Sequence, residues 1–219
     1  MAEITATFAF VDLAGFTALT DVHGDTEAAE LIDRFEALAV AALGPDDRLV
    51  KSIGDAVFMT FANTAGALRS VGQLLRACAA QPDFPLPRTG LHHGVAVARG
   101  DDLIGGDVNT AARIAGQAHG AQVLASTEVA ATARAEGIHV VELGAFDLRN
   151  LTNPVTLYQV DLFPEIAGSA IDPVCRMRVE RSEAAGRLRH HDTDHWFCSL
   201  RCAALFADQP DNYIVSAAP

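Results

Sequence analysis

Apolar and polar positions along the first 160 residues switch between two periods, and the switching predicts the elements. Thr5–Val11 (TATFAFV) is a nearly unbroken apolar run, read as a buried strand that ends at Asp12 and turns through Gly15-Phe16-Thr17 into a helix. From Thr26 to Leu43, Ala29, Ile32, Phe35, Leu38 and Ala39 recur at helical spacing with charges between them, predicting an amphipathic helix. In RLVKSIGDAVFMTF two apolar strands flank Gly54-Asp55, a favoured hairpin-turn pair. Thr64–Ala80 predicts a second long helix, stopped by the Pro-rich stretch Gln81–Pro87. Thr89–Arg99 reads as a strand, Asp101–Gly106 as a turn, and Asp107 as the N-cap of a helix running to about Ala118. Strand and helix segments then alternate to Val160. This order predicts an α/β sandwich of the α+β kind with a mainly antiparallel sheet over residues 4–161. A linker at 162–169 and a small separate domain at 170–215 complete the organisation.

Composition narrows the chemistry. Of 219 residues, 50% are hydrophobic and 20% charged, which is the profile of a globular chain with a full core. The net charge of -12 argues against nonspecific nucleic-acid binding, which needs stripes of Lys and Arg to displace phosphate counterions. A small phosphate ligand stays compatible, because it needs only local positive charge. No apolar run reaches the length of a bilayer span, and the N-terminus, with Glu3 and Asp12, has no basic leader region. The expectation is a cytoplasmic protein with no membrane partner. Three of the four cysteines, Cys175, Cys198 and Cys202, crowd into the C-terminal segment, where a reducing compartment favours metal or redox chemistry over a disulfide. Cys78, inside an apolar helix, reads as packing.

Six polar residues of the larger domain suggest nucleotide chemistry: Asp12, Lys51, Asp55, Asp102, Asn109 and Arg113. Asp12 sits at a strand-to-helix junction whose amides favour an anion. Asp55 lies in the hairpin turn, and two carboxylates at neighbouring strand ends suit Mg²⁺ shared with phosphates. Asn109 and Arg113, four apart on one helix, project from one face, where Arg can grip phosphate oxygens bidentately. Each residue alone has an ordinary reading as a turn acid, a solvated lysine or a surface ion pair.

Taken together, the blocks Phe10-Val11-Asp12-Leu13-Ala14-Gly15-Phe16-Thr17, Lys51-Ser52-Ile53-Gly54-Asp55, Leu91-His92-His93-Gly94, Asp102-Leu103-Ile104-Gly105 and Val108-Asn109-Thr110-Ala111-Ala112-Arg113 resemble the class III adenylate/guanylate cyclases. The resemblance covers residues 4–161 and implies a ferredoxin-like sandwich. It further implies that Asp12 and Asp55 hold two Mg²⁺ or Mn²⁺ and that Lys51 and Asp102 select adenine. Lys donates to the ring nitrogen while the carboxylate accepts from the amine. Guanine-selective members carry Glu- and Cys-type residues there, so the resemblance implies ATP. Asn109 and Arg113 match the transition-state pair, and Arg88 a phosphate-binding arginine. In-line attack of the ribose 3′-oxygen on the α-phosphorus would yield cyclic AMP and pyrophosphate. Because the family draws the two halves of each site from opposite subunits, it also implies a homodimer. Departures are His93, where a small hydroxyl residue is usual, and a short segment from Ala42 to Arg48. Gly105-Gly106-Asp107 is close to a diguanylate cyclase loop, but Val108-Asn109 follows where Glu-Phe is needed.

The C-terminal segment places Cys198 and Cys202 at a C-x₃-C spacing, one helical turn apart if Ser199 caps a helix. With Cys175 upstream and His190, His191 and His195 between, the set suits Zn²⁺ or another soft metal. Asp172-Pro173-Val174-Cys175-x-Met177, Trp196-Phe197-Cys198-Ser199-x-x-Cys202, Phe206 and Pro210-x-x-Tyr213 resemble the YHS domain, a family loosely associated with heavy metals. Gly186 stands where that family has a histidine. His190-His191 reads first as a solvated hairpin tip. The expected function is an adenylate cyclase. Its rivals are a silent nucleotide-sensing module and a metal-sensing protein that uses the cyclase-like domain to dimerise.

Overall fold

A computed structural model describes residues 2–81, 84–162 and 169–213. Its first strand, β1 (Glu3–Leu13), leads through α1 (Phe16–His23) into α2 (Asp25–Ala41). The hairpin β2 (Arg48–Ile53) and β3 (Ala56–Phe61) follows, then α3 (Thr64–Ala79), β4 (Pro87–Arg99) and β5 (Asp102–Ile104). Next come α4 (Gly106–Ala115), β6 (Val123–Ala125), α5 (Thr127–Ala135), β7 (Val140–Phe146) and β8 (Val155–Val160). These strands form one sheet in the order β2-β3-β1-β4-β6-β8-β7, with β5 added beside β4. Every pair is antiparallel except β4 with β6, in keeping with the mainly antiparallel sheet expected from the sequence.

The near-continuous apolar run of β1 reflects burial on both faces. Ala9, Val11 and Leu13 point into the larger core with Leu31 and Phe35 of α2 and Val71 and Leu75 of α3. Phe8 and its neighbours point to the other face, against Val108 and Ala111 of α4. Helix α4 lies very close to β4. A Cβ added at Gly90 would run into the backbone of Ala111 and Ala115, and one at Gly94 into Asp107. Only glycine lets the helix sit there, and this contact places Asn109 and Arg113.

Several local expectations need correction. In α2 the buried stripe is Ala28, Leu31, Phe35 and Ala39, while Ala29 is exposed and Ile32 half-buried. Asp107 does not cap α4; the helix starts at Gly106, two residues earlier than that cap implies, with Gly105 at the N-cap position. The Asp107 carboxylate instead accepts the Val95 amide at 2.6 Å, tying α4 to β4. Part of the expected turn 101–106 is the short strand β5, paired with Val97–Arg99.

The C-terminal segment contains β9 (Ser169–Ile171), β10 (Arg178–Glu180), the hairpin β11 (Gly186–His190) and β12 (Thr193–Phe197), and α6 (Leu200–Asp208). Ser199 caps α6 as expected, its hydroxyl accepting the Cys202 amide at 3.1 Å. Val174, Cys175, Met177, Phe197, Cys202 and Phe206 belong to the same buried cluster as Leu13, Leu19 and Phe84. Met177 also bridges to Pro85, and Arg201 donates to the Val22 carbonyl at 3.3 Å. His191 and Asp192 turn the hairpin tip with left-handed backbones, and both are exposed. The expected linker, residues 162–169, lies largely outside the described residues. No helix among them is long and apolar enough to cross a membrane.

Candidate functional site

The end of β1 gathers one half of the predicted constellation. Asp12 stands opposite Ala56 of β3 and Arg88 of β4. Arg88 donates from Nε to Asp12 Oδ2 at 2.7 Å and adds a second contact from Nη2. Asp55 follows Gly54, whose φ of 61° lets the hairpin turn. The Leu13 amide donates to the Asp55 carbonyl at 3.1 Å, which draws the hairpin tip over the end of β1 and sets the two carboxylates together. Burial lifts the Asp55 carboxyl to about 6, with the charge of Asp12 and a hydrogen bond to it acting the same way. Two acids this close resist joint ionisation unless a cation joins them. Oxygen donors converging from two segments are the set that Mg²⁺ or Mn²⁺ favours, so the residues fit such an ion.

Lys51 and Asp102 form a second pair. Their strands lie at opposite ends of the run β2-β3-β1-β4-β5, yet Lys51 Nζ meets Asp102 Oδ2 at 2.6 Å. Lys51 stands opposite Phe58, which stacks on Phe10 with ring centroids 4.5 Å apart. Strand twist curls this end of the sheet enough to close the gap. The hydrogen bond from Lys51, with another from the Leu103 amide, holds the Asp102 carboxyl below its usual range. Both side chains are nearly half exposed, so the pair is open to a ligand edge.

Asn109 and Arg113 share the exposed face of α4. Among the described residues, no hydrogen bond or ion pair joins them to Asp12 or Asp55. Elsewhere in the domain Ile53, Val95 and Ile104 are apolar yet 49%, 38% and 46% exposed. Beneath α4, His92 hydrogen bonds Ser126 at 2.7 Å and approaches Asp107 at 3.4 Å. Burial lowers its pKa despite the carboxylate. His93 points the other way and shares a hydrogen-bond triangle with Thr7 and Thr64.

The three C-terminal cysteines also converge. Cys175 and Cys198 have their Sγ atoms 3.4 Å apart, Cys198 and Cys202 3.7 Å apart. The Asp172 carboxylate lies within 4.8 Å of these sulfurs, but one oxygen accepts the Val174 amide and the other the Cys198 amide. Hydrogen bonds from the Cys175 and Cys198 thiols favour the Cys202 thiolate. Those from Cys175 towards Cys198 and Cys202 hold its own proton in place. His190 and His191 lie away from the thiols, grouped instead with Asp211. One neighbour escaped the motif reading: His23 of α1, whose Nε2 lies 3.8 Å from Cys198 Sγ. A lone helical histidine 152 residues before the first of these cysteines carries no local signal.

Comparison with known proteins agrees with the geometry. No family model matches the chain. Over 158 residues, 70% of its length, it is 34% identical to a pH-sensitive adenylate cyclase of Mycobacterium tuberculosis, covering 40% of that protein. An adenylate cyclase of Streptomyces coelicolor is 37% identical over 125 residues, 55% of this chain and 32% of the relative. The chain therefore spans about 40% of the first of these relatives and less of the second. Among solved structures, an adenylate cyclase of Trypanosoma brucei in its monomeric state superposes with a TM-score of 0.67 at 20% identity, over 73% of this chain and 90% of that one. An adenylate/guanylate cyclase/hydrolase from Silicibacter pomeroyi gives 0.62 at 21% identity, over 76% and 100%. Sequence similarity and superposition point the same way: this chain is similar to adenylate cyclases over about 70% of its length and shares the fold of adenylate/guanylate cyclase structures.

Proposed function

We propose that the protein is an adenylate cyclase converting ATP to cyclic AMP and pyrophosphate. The observation that carries this reading is the Asp12–Asp55 pair, two carboxylates pressed together at a strand-to-helix turn with the Asp55 proton retained up to about pH 6. Two Mg²⁺ or Mn²⁺ ions held there would acidify the attacking ribose hydroxyl and offset charge on the phosphates. The chain's own groups do the rest. Lys51 donates to the adenine ring nitrogen and Asp102 accepts from its amine, which requires the 2.6 Å pair to open for the base. Arg88, paired with Asp12 in the free chain, would be free to face the phosphates once Asp12 held a cation. The ribose 3′-oxygen then bonds to the α-phosphorus as the bond to pyrophosphate breaks, while Asn109 steadies the ribose and Arg113 the charge spreading over the phosphates. Positioning and charge supply most of the catalysis.

The exposed places of Asn109 and Arg113, apart from the aspartates, favour a head-to-tail homodimer in which each site takes Asp12 and Asp55 from one copy and Asn109 and Arg113 from the other. The exposed apolar residues Ile53, Val95 and Ile104 suit burial in that interface. The domain division stays at 4–161 and 170–215, and the location cytoplasmic. The C-terminal segment is assigned as YHS-like, with Cys175, Cys198 and Cys202 holding Zn²⁺ or another soft metal. ATP with Mn²⁺ or Mg²⁺ tests the main reading. Cyclic AMP formed by the wild type and lost in Asp55→Ala supports it, whereas tight ATP binding without product points to a silent sensor.

A further inference from the structure

His23 lies outside every motif of the chain, and its position is unusual. It is the last residue of α1, and its Nε2 points at the thiol cluster, 3.8 Å from Cys198 Sγ. Tetrahedral zinc with Zn–S of about 2.3 Å requires S···S edges of about 3.8 Å and S···N edges slightly shorter. The observed 3.4, 3.7 and 3.8 Å separations, all measured from Cys198, are close to those edges. His23 stands outside the Asp172, Cys175, Cys198 and Cys202 group whose donor atoms lie within 4.8 Å of one another, so its imidazole has to swing towards Cys175 and Cys202 to join them. Asp172, the other candidate, already gives both oxygens to backbone amides and serves to shape the loop. The far nitrogen of His23, Nδ1, faces Glu27 Oε2 at 3.9 Å. That separation is too long for a hydrogen bond, but a small rotation of Glu27 would give the carboxylate-backed imidazole that orients a ligating ring and strengthens its donor nitrogen.

We propose that His23 is the fourth ligand of a Cys₃His site for a thiophilic divalent cation such as Zn²⁺, cross-linking α1 of the cyclase domain to the C-terminal segment. The proposal rests on the three-thiol reading above and extends it into the cyclase domain. Both ends of α1 touch that segment. At the start, a Cβ on Gly15 would meet the Arg176 side chain and the Cys175 carbonyl, so the turn after Asp12 packs directly on the cysteine loop. At the end, Arg201 holds the Val22 carbonyl beside His23. Occupancy of the thiol site therefore fixes α1 and, through it, the turn that follows Asp12.

The test uses the full chain, freed of metal and titrated with Co²⁺ as the probe. The wild type should take one Co²⁺ per chain at the thiols, with tetrahedral ligand-field and thiolate charge-transfer bands. His23→Ala should keep the charge-transfer bands, shift the ligand-field bands and bind at least about 10-fold more weakly. Hydrogen exchange over residues 16–23 should slow on metal addition in the wild type and not in the variant. Zinc-edge X-ray absorption of the wild type reads the same ligand without a substitution, through the imidazole's outer-shell scattering. His23→Ala with unchanged affinity and spectrum, or zinc without that scattering, would overturn the role of His23 while leaving the three thiols as ligands. A wild type with no Co²⁺–thiolate band would overturn both.

Discussion

The carboxylate pair at Asp12 and Asp55 and the thiol cluster at Cys175, Cys198 and Cys202 lie on either side of the Gly15 turn and are built on opposite plans. The carboxylates stand at strand ends, partly open to water, and Asp12 already has a substitute cation in Arg88. The thiols are mostly buried, beside the large core, and reach one another within a single chain. A site for exchangeable, phosphate-bound cations has to stay open and share its ligands. A site for a resident soft cation has to close and exclude water. Donor chemistry, burial and completeness within one chain change together.

Removing a carboxylate should have the largest effect on that contrast. Asp12→Ala is expected to cut cyclic AMP formation about 100-fold or more while the protein stays folded, as checked by initial rates and circular dichroism. At the closed site the loss should appear in stability. Cys198→Ser combined with Cys202→Ser is expected to lower the unfolding free energy of the zinc-loaded protein by about 3 kcal/mol, measured by urea denaturation. Completeness is tested by mixing. Asp55→Ala and Asn109→Ala, inactive separately, should together recover about a quarter of wild-type activity if half the dimers are mixed and each has one intact site. No recovery would confine the active site to one chain.

The smallest effect concerns charge. Because the Asp55 carboxyl is raised from 3.8 to about 6, the folded chain holds this proton more tightly than the unfolded chain. Its contribution to stability is therefore full below about pH 4 and lost as pH rises through 6. Under chelation, the urea midpoint of the wild type should fall relative to that of Asp55→Asn between pH 4 and 7, and Mg²⁺ should narrow the gap. Solvent screening limits the difference to under about 1 kcal/mol.

Much of this was readable residue by residue. The hairpin at Gly54-Asp55, the Ser199 cap and the long helices follow from turn chemistry and periodicity, which act between near neighbours. Asp107 misled because a carboxylate near a helix start has two outlets, its own helix and the adjacent strand, and β4 offered the nearer amide at Val95. The first half of the α2 stripe moved from Ala29 and Ile32 to Ala28 and Leu31, while Phe35 and Ala39 are buried as expected, because its partners, α1 and α3, settle which stripe is covered.

The order of apolar and polar residues determined the sandwich and its mainly antiparallel sheet, since local periods carry that information, and motif resemblance singled out Asp12, Lys51, Asp55, Asp102, Asn109, Arg113 and the three thiols as candidate site residues. Tertiary structure alone decided that Lys51 meets Asp102, that Arg88 occupies Asp12, and that His23 faces Cys198. Those contacts join positions 51, 76 and 175 residues apart, and only strand twist and core packing bring such distant residues within a few ångströms.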